Sequence, residues 1–93
     1  MRKIDLNIKL IDFNGQEIEK SDTINKILAG FLLRQTKGDP IKYFDWAMKL
    51  GKDGILEADQ SDIDKLKELI DKSEELTVLV KAPLIKALKE VNN

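Results

Sequence analysis

The chain contains no histidine and no cysteine, and these two absences exclude more chemistry than any other feature of its composition. Without histidine it lacks the side chain that most often serves as a general base near neutral pH. Without cysteine it has no thiolate nucleophile and no disulfide. Together the absences remove the usual ligand sets for zinc, haem and iron–sulfur clusters. We therefore predict a protein that is not an enzyme, with no catalytic residues, no metal and no cofactor.

The chain also lacks an excess of positive charge and a long hydrophobic run. It has 16 basic and 17 acidic residues, a net charge of −1, whereas binding along a phosphate backbone needs a basic field. The longest uncharged apolar-rich stretch, Ile27 to Leu33, is far shorter than the roughly 20 residues of a membrane-spanning helix. Charged residues at positions 2, 3 and 5 argue against a signal peptide. We predict an intracellular protein that binds neither nucleic acid nor membrane.

What the sequence does contain is a high density of patterned apolar and charged residues. Hydrophobic residues make up 42% of the chain and charged residues 35%, and the regular recurrence of the apolar residues is typical of a folded protein. A length of 93 residues suffices for one self-sufficient core but hardly for two. We therefore predict a single domain over residues 1–93, with few side chains left to line a large cavity.

Residues 3–20 are predicted to form an N-terminal β-hairpin. Strict alternation of apolar and polar residues places four aliphatic side chains on one face of the first strand: Ile4, Leu6, Ile8 and Leu10. Asn14-Gly15 follows, a pair that favours the type I′ turn because both central residues need positive φ. The return strand, residues 16–20, offers only Ile18 to the core. A lone hairpin is marginally stable in water, so we expect it to pack on helices or to find a third strand in another chain.

Four helices are predicted after the hairpin. The first follows a run of N-cap candidates at residues 21–23, and the second begins at Asp39-Pro40 and ends at Gly51. Between the second and third helices, residues 55–56 are predicted to place a short extended segment on the core. The predicted helices cover about 22–37, 40–50, 60–72 and 75–91. The predicted fold class is therefore α+β, a hairpin packed on a small helical bundle.

The last segment of the chain allows two structures. The strand-like composition of residues 76–80 and the proline at position 83 would fit a third strand at 76–81 followed by a helix at 83–91. The apolar residues nevertheless keep helical spacing for over four turns: Leu76, Val80, Leu84, Leu88 and Val91. Because periodicity is the better indicator, we favour a helix over 75–91, bent or restarted at Pro83.

The predicted second helix is apolar around most of its circumference, which is typical of a helix buried on several sides. One apolar face contains Ile41, Phe44 and Met48. A second face contains Tyr43, Trp46, Ala47 and Leu50. Aromatic residues with polar tips are enriched at interface hot spots, so we predict this second face as the partner-binding site. The alternative is that its two aromatic residues belong to the core of the domain.

An acidic cluster precedes the third predicted helix and suggests two interpretations. The cluster comprises Glu57, Asp59, Asp62 and Asp64, and its carboxylates could hold Mg²⁺ or Ca²⁺. A calcium loop starting at Asp53 or Asp59 would need glycine at its sixth position and glutamate at its twelfth, and neither register has them. Acidic residues also complement the dipole of a helix N-terminus, which Ser61 or Asp59 would cap. We therefore predict a helix start and no metal site.

Basic residues provide the ingredients of a different kind of site. A small anionic ligand, such as a nucleotide, could bind to a few converging basic side chains beside an aromatic ring. The loose candidates for such a site are Arg34, Lys42, Lys49 and Lys81. This group would be assembled across an oligomer interface, because one chain of this size has little room for an internal pocket.

Several segments of the chain, in this order, resemble small uncharacterised proteins encoded by tailed bacteriophages and prophages. The segments are KIDL, DFNGQEI, INKILAGFLL, KYFDWAMKL, ILEADQSDIDKLKELI and LTVLVKAPLIKAL, and together they span most of the chain. The resemblance implies a bacterial cytoplasm or a virion as the setting. It also implies a role as an assembly factor, a minor virion component or an inhibitor of a host protein. It carries no catalytic residue to this sequence.

The leading hypothesis is therefore a non-enzymatic interaction protein that holds a partner protein or a second copy of itself. On this hypothesis, replacing Trp46 with alanine abolishes the contact and leaves a folded monomer. One alternative is a small-ligand binder that sequesters a host nucleotide signal as an anti-defence protein. A metal-dependent enzyme that uses the acidic cluster is the third and weakest hypothesis.

Overall fold

The computed structural model describes residues 2–18 and 22–90 and confirms the predicted α+β class, with an antiparallel pair of strands and four helices in those residues. In chain order the elements are β1 (Arg2–Asp5), α1 (Ile24–Leu33), α2 (Pro40–Lys52), β2 (Ile55–Ala58), α3 (Gln60–Asp71) and α4 (Val78–Glu90). Three predictions lie outside the described residues: the end of the return strand at Lys20, the candidate cap Ser21 and the last helical residue Val91.

The sheet pairs β1 with β2, so the extended segment predicted at residues 55–56 is the start of the second strand. The pairing is antiparallel, with Ile4 opposite Leu56 and Lys3 opposite Glu57. Ile4 and Leu56 are both buried, whereas Lys3 and Glu57 form an exposed ion pair at 3.8 Å. The predicted alternation is confirmed within Arg2–Asp5, because side chains at successive positions of a strand point to opposite faces. The strand ends there, before Leu6 and Leu10, which are also buried.

A turn forms near the predicted Asn14-Gly15 pair, but its central residues are Phe13 and Asn14 and Gly15 closes it, so the predicted type I′ arrangement is wrong. The turn also does not supply the partner of β1. Gly15 has a φ of +81°, and its N–H donates to the carbonyl oxygen of Asp12 at 3.0 Å. Beyond the turn, the two arms share an isolated bridge between Ile11 and Glu17. The return arm has one aliphatic residue to bury, whereas β2 offers the buried side chains of Leu56 and Ala58. The greater apolar burial explains why β1 pairs with β2.

The main chain between β1 and the turn caps the first helix. The side chain of the N-cap residue, Thr23, makes no capping hydrogen bond to the first turn of α1. Instead, the N–H of Ile24 donates to the carbonyl of Ile8 at 2.8 Å, and the N–H of Asn25 donates to the carbonyl of Leu6 at 2.9 Å. The N–H of Leu6 donates to the carbonyl of Gly54 at 2.8 Å. The same short segment, residues 6–8, therefore provides hydrogen-bond partners for the start of a helix and for the entry to a strand.

One buried polar side chain links the first two helices. Asn25 is buried in the first turn of α1, and its amide nitrogen donates to the carbonyl of Leu50 near the end of α2 at 2.8 Å. Its amide oxygen accepts from the hydroxyl of Thr23. A buried amide is costly unless it is satisfied, so this pair of bonds favours one relative placement of the two helices.

Two of the helix starts follow the predicted capping residues, while two predicted ends are wrong. The carboxylate of Asp39 accepts from the N–H of Lys42 at 3.1 Å, and that of Asp59 accepts from the N–H of Asp62 at 2.8 Å. The first helix ends at Leu33 rather than near residue 37. The second helix continues through Gly51 to Lys52, because the chain first adopts a positive φ at Gly54.

The last helix is continuous through Pro83, so the alternative of a strand at 76–81 is wrong from Val78 onward. Its buried residues keep the predicted spacing at Val80, Leu84 and Leu88, and Leu76 before it is buried too. These four side chains join one core with residues of the sheet and of the other three helices. The core also contains Ile4, Leu6, Leu10, Ile24, Leu28, Phe31, Leu32, Trp46, Leu50, Leu56, Ile63, Leu66 and Ile70.

Gly54 is a position where only glycine fits. Its φ is +76°, and a Cβ there would collide with the side chain of Asn7. That side chain is held by hydrogen bonds to the carbonyl of Asp53 and the carboxylate of Asp5, at 2.7 and 2.9 Å. A larger residue would therefore be strained and would also break these bonds.

We predict that Gly54→Ala lowers the free energy of unfolding by about 2–3 kcal/mol, from backbone strain and the displaced Asn7. Gly51→Ala is the matched control, because Gly51 lies within α2 and a Cβ there meets nothing. It should raise the free energy of unfolding by up to about 1 kcal/mol, the helix-propensity difference between the two residues. Urea denaturation measures both. Equal effects of the two substitutions would contradict this assignment.

Candidate functional site

The second helix buries the face that was predicted to bind a partner and exposes the other. Trp46 is 6% exposed, and Ala47 and Leu50 are also buried. On the opposite side, Ile41, Phe44 and Met48 are 75%, 54% and 46% exposed. We name these three residues the exposed face of α2. The choice of contact face is thereby corrected: Trp46, Ala47 and Leu50 pack against the core and are not accessible to a partner.

Tyr43, the fourth residue of the predicted site, is half-buried at the edge of this core. Its ring stacks on that of Trp46, with centroids 6.0 Å apart and an interplanar angle of 25°. On its other side it lies against Gly38, which has a φ of +101° and where a Cβ would come within 2.6 Å of the tyrosine hydroxyl. The turn between α1 and α2 therefore fixes the tyrosine ring, which supports the tryptophan rather than projecting into solvent.

Lys42 is held by groups of its own chain. Its Nζ donates to a carboxylate oxygen of the buried Asp62 at 2.8 Å and lies 5.7 Å from the centre of the Trp46 ring. The hydrogen bond that Lys42 donates to Asp62, with the nearby charges of Asp62, Asp39 and Asp59, raises the pKa of the Lys42 ammonium above its ordinary value. Lys42 thus closes one side of the aromatic stack, and an incoming anion would have to share its ammonium with the carboxylate of Asp62.

A groove of about 520 Å³ runs beside α2, between this helix and the residues around β2. Two lysines line it, Lys42 and Lys49. Five carboxylates line it as well: Asp39, Asp45, Glu57, Asp59 and Asp62. We name it the acidic groove. Its excess of negative charge is unfavourable for a phosphate-bearing ligand and favourable for a cationic group.

On the other side of Phe44, a smaller groove of about 190 Å³ is mostly apolar. Its apolar lining includes Leu32, Leu33, Pro40, Tyr43 and Phe44. Leu33, at the end of α1, is exposed and extends the apolar surface beyond α2. The exposed face of α2 is therefore bordered by a charged groove on one side and by an apolar groove on the other.

The four basic residues predicted for a nucleotide site do not converge. Arg34 forms an ion pair with Glu75 at 2.5 Å, away from the acidic groove. Lys81 donates to the carbonyl oxygens of Asp71 and Ser73, at the C-terminal end of α3. Lys42 and Lys49 share one groove, in which carboxylates outnumber them. The described residues of one chain thus provide no cluster of free cations from this set.

The acidic residues before and within α3 serve as caps and ion-pair partners. Asp59 caps the helix, as predicted, and Asp62 binds Lys42. Asp64 lies 3.5 Å from the ammonium of Lys67. Across residues 2–18 and 22–90, no group of three or more acidic side chains is placed to hold a metal ion.

One signal in the sequence distinguishes the two apolar faces of α2. On a helical projection, Asp45, Lys49 and Lys52 lie next to Ile41 and Met48, at positions where a helix meets solvent. The face of Trp46, Ala47 and Leu50 has a charged neighbour at one edge only, Lys42. Aromatic content favoured the wrong face, whereas the position of the charged border favours the face that the structure exposes.

The chain was compared with known protein families, with curated proteins and with solved structures, and no match was found in any of the three. Within the part of the chain that the structure describes, no helix is both long enough and apolar enough to cross a bilayer.

We predict that Trp46→Ala lowers the free energy of unfolding by about 3–5 kcal/mol, because it leaves a large cavity in the core. Phe44→Ala, two residues away on the same helix, should change it by no more than about 0.5 kcal/mol, as is usual for an exposed position. Urea denaturation at low micromolar protein concentration, followed by circular dichroism, measures both. Similar costs for the two substitutions would show that α2 is oriented differently.

Proposed function

We propose that this chain is a non-enzymatic interaction protein whose contact surface is the exposed face of α2. The observation that carries the proposal is the exposure of Ile41, Phe44 and Met48 on one helix. These residues are spaced i, i+3 and i+7, so they form a continuous ridge about 10 Å long. Isolated apolar residues on a surface are common, but a ridge of large ones marks a contact surface.

The surroundings of this ridge resemble those of an interface. Interfaces have an apolar centre with aromatic residues and methionine enriched, inside a polar rim. Here Phe44 and Met48 lie at the centre, and Leu33 continues the apolar surface on the α1 side. The rim contains Asp45 and Lys49, both exposed. A partner could therefore bury the ridge and leave the charged groups at the edge of the contact.

The resemblance of the sequence segments to phage and prophage proteins supports a specific setting for this role. In that setting the chain would be an assembly factor, a minor virion component or an inhibitor of a host protein. It would act in the cytoplasm of a bacterial host or within a virion. Each of these roles works by protein–protein contact and needs neither a cofactor nor a catalytic group.

Site-specific photo-crosslinking in bacterial cells tests the proposal. Phe44 is replaced by p-benzoylphenylalanine, which preserves the aromatic ring. The matched control carries the same group at Phe13, which is 97% exposed on the N-terminal turn. We expect irradiation to yield one or a few discrete adducts from position 44 and not from position 13, because Phe44 lies in a ridge of three exposed apolar side chains whereas Phe13 projects from a turn.

The adducts are separated by gel electrophoresis and identified by mass spectrometry. The absence of discrete adducts from position 44, or the same adducts from both positions, would contradict the proposed function. A parallel thermal-shift screen against nucleotides tests the small-ligand alternative. We expect no shift, since the acidic groove disfavours phosphate.

A further inference from the structure

We infer that the partner of the exposed face of α2 is a second copy of this chain, bound with its own α2 antiparallel to the first; this inference rests on the proposed function. The occupant is identified by the self-complementary pattern of residues along α2. A surface that carries both signs of charge at opposite ends can match itself under a two-fold axis. We name the line of Ile41, Phe44, Met48 and the small residue Gly51 the seam. Charged residues of α2 form a border along one side of it.

The seam follows a heptad spacing. Ile41 and Met48 are seven residues apart, and so are Phe44 and Gly51. In an antiparallel pair of helices, such positions alternate in layers, so that Phe44 of each copy meets Met48 of the other. Ile41 of each copy then meets Gly51 of the other. Four layers over about 15 Å would cover the three exposed side chains of both copies.

Gly51 makes no contact within the described residues that would exclude a larger side chain, and a second copy would supply one. It is the last residue but one of α2, so glycine costs less here than the roughly 1 kcal/mol relative to alanine of a helix interior. It is exposed, and a Cβ at this position would meet no atom of the chain. Its φ does not lie in the positive range. A missing side chain at the seam lets the isoleucine of the facing helix approach closely.

The charges along the border of the seam are arranged for the same antiparallel pairing. Asp45 lies on the N-terminal half of α2, whereas Lys49 and Lys52 lie on the C-terminal half. Within residues 2–18 and 22–90, none of these three takes part in an ion pair. The acidic groove lies on this same side of the helix. Antiparallel docking brings the lysines of each copy to the acidic groove of the other.

The size of the seam predicts a weak dimer. A contact along one helix of 13 residues is smaller than the roughly 800 Å² per partner of a standard stable interface. We therefore expect a mass near 10.6 kDa at about 1 µM and a mass approaching twice that value at about 500 µM. Light scattering or sedimentation equilibrium across this range measures the dissociation constant of the full chain.

Charge reversal tests the orientation. Asp45→Lys leaves only lysines along the border of the seam in both copies. Lys49→Asp places a second carboxylate beside Asp45 in both copies. Like charges then face each other across the axis, so each substitution should weaken the dimer by about tenfold or more. The double variant carries both changes and restores opposite charges across the axis. We expect it to dimerise more tightly than either single variant. Phe44→Asp should give a monomer at every concentration, while Phe13→Asp should dimerise like the unchanged chain.

The outcomes separate this inference from the proposed function. All the substituted positions are exposed, so we expect every variant to fold. Circular dichroism checks this before the masses are compared. A chain that stays monomeric at about 500 µM, or a double variant no tighter than the weaker single variant, overturns the antiparallel dimer. If position 44 then crosslinks to a different protein in cells, the proposed function stands with another partner. If it crosslinks to nothing, both fail.

Discussion

The short turn of residues 6–8, in which the N–H of Ile8 donates to the carbonyl of Leu6, is the constraint on which the rest of the structure depends. Its carbonyl groups accept the first N–H groups of α1, and its amide at Leu6 binds Gly54 at the entry to β2. The side chain of Leu6 is fully buried beneath these bonds. A helix start, a strand entry and the centre of the core thus meet at one short stretch of main chain. Because these bonds are to backbone atoms, they depend on the position of the segment more than on the identity of its side chains.

That constraint also determines which surface of α2 faces solvent. With α1 held by residues 6–8, the buried amide of Asn25 reaches the last turn of α2 at Leu50. The stack of Tyr43 on Trp46 and the turn at Gly38 hold the first turns of the helix. Fixed at both ends, α2 cannot rotate to hide all of its apolar residues. The outward ridge is a consequence of satisfying buried polar and aromatic groups elsewhere in the fold.

Local signals in the sequence were enough to predict most of the helices and the first strand. They were not enough to predict which of these elements pair or pack with one another. Alternation predicted the strand at Ile4, caps predicted the helix starts at Asp39 and Asp59, and periodicity correctly favoured a helix through Pro83. The partner of β1 was missed because strand pairing depends on which distant segment buries more surface. The exposed face of α2 was missed because both faces are apolar. The hydrogen bond from Asn25 to Leu50 that orients the helix joins residues with no recognisable sequence relation.

The paired residues Arg2 and Ala58 are separated along the sequence by more than half of the described chain. Closing so long a loop is entropically costly, whereas α1 and α2 are neighbours in sequence and pack directly on each other. We expect the helical pair to form early and the sheet to close late. During synthesis the first strand would leave the ribosome well before its partner exists. Until β2 is made, the segment that caps α1 has one of its two anchors missing.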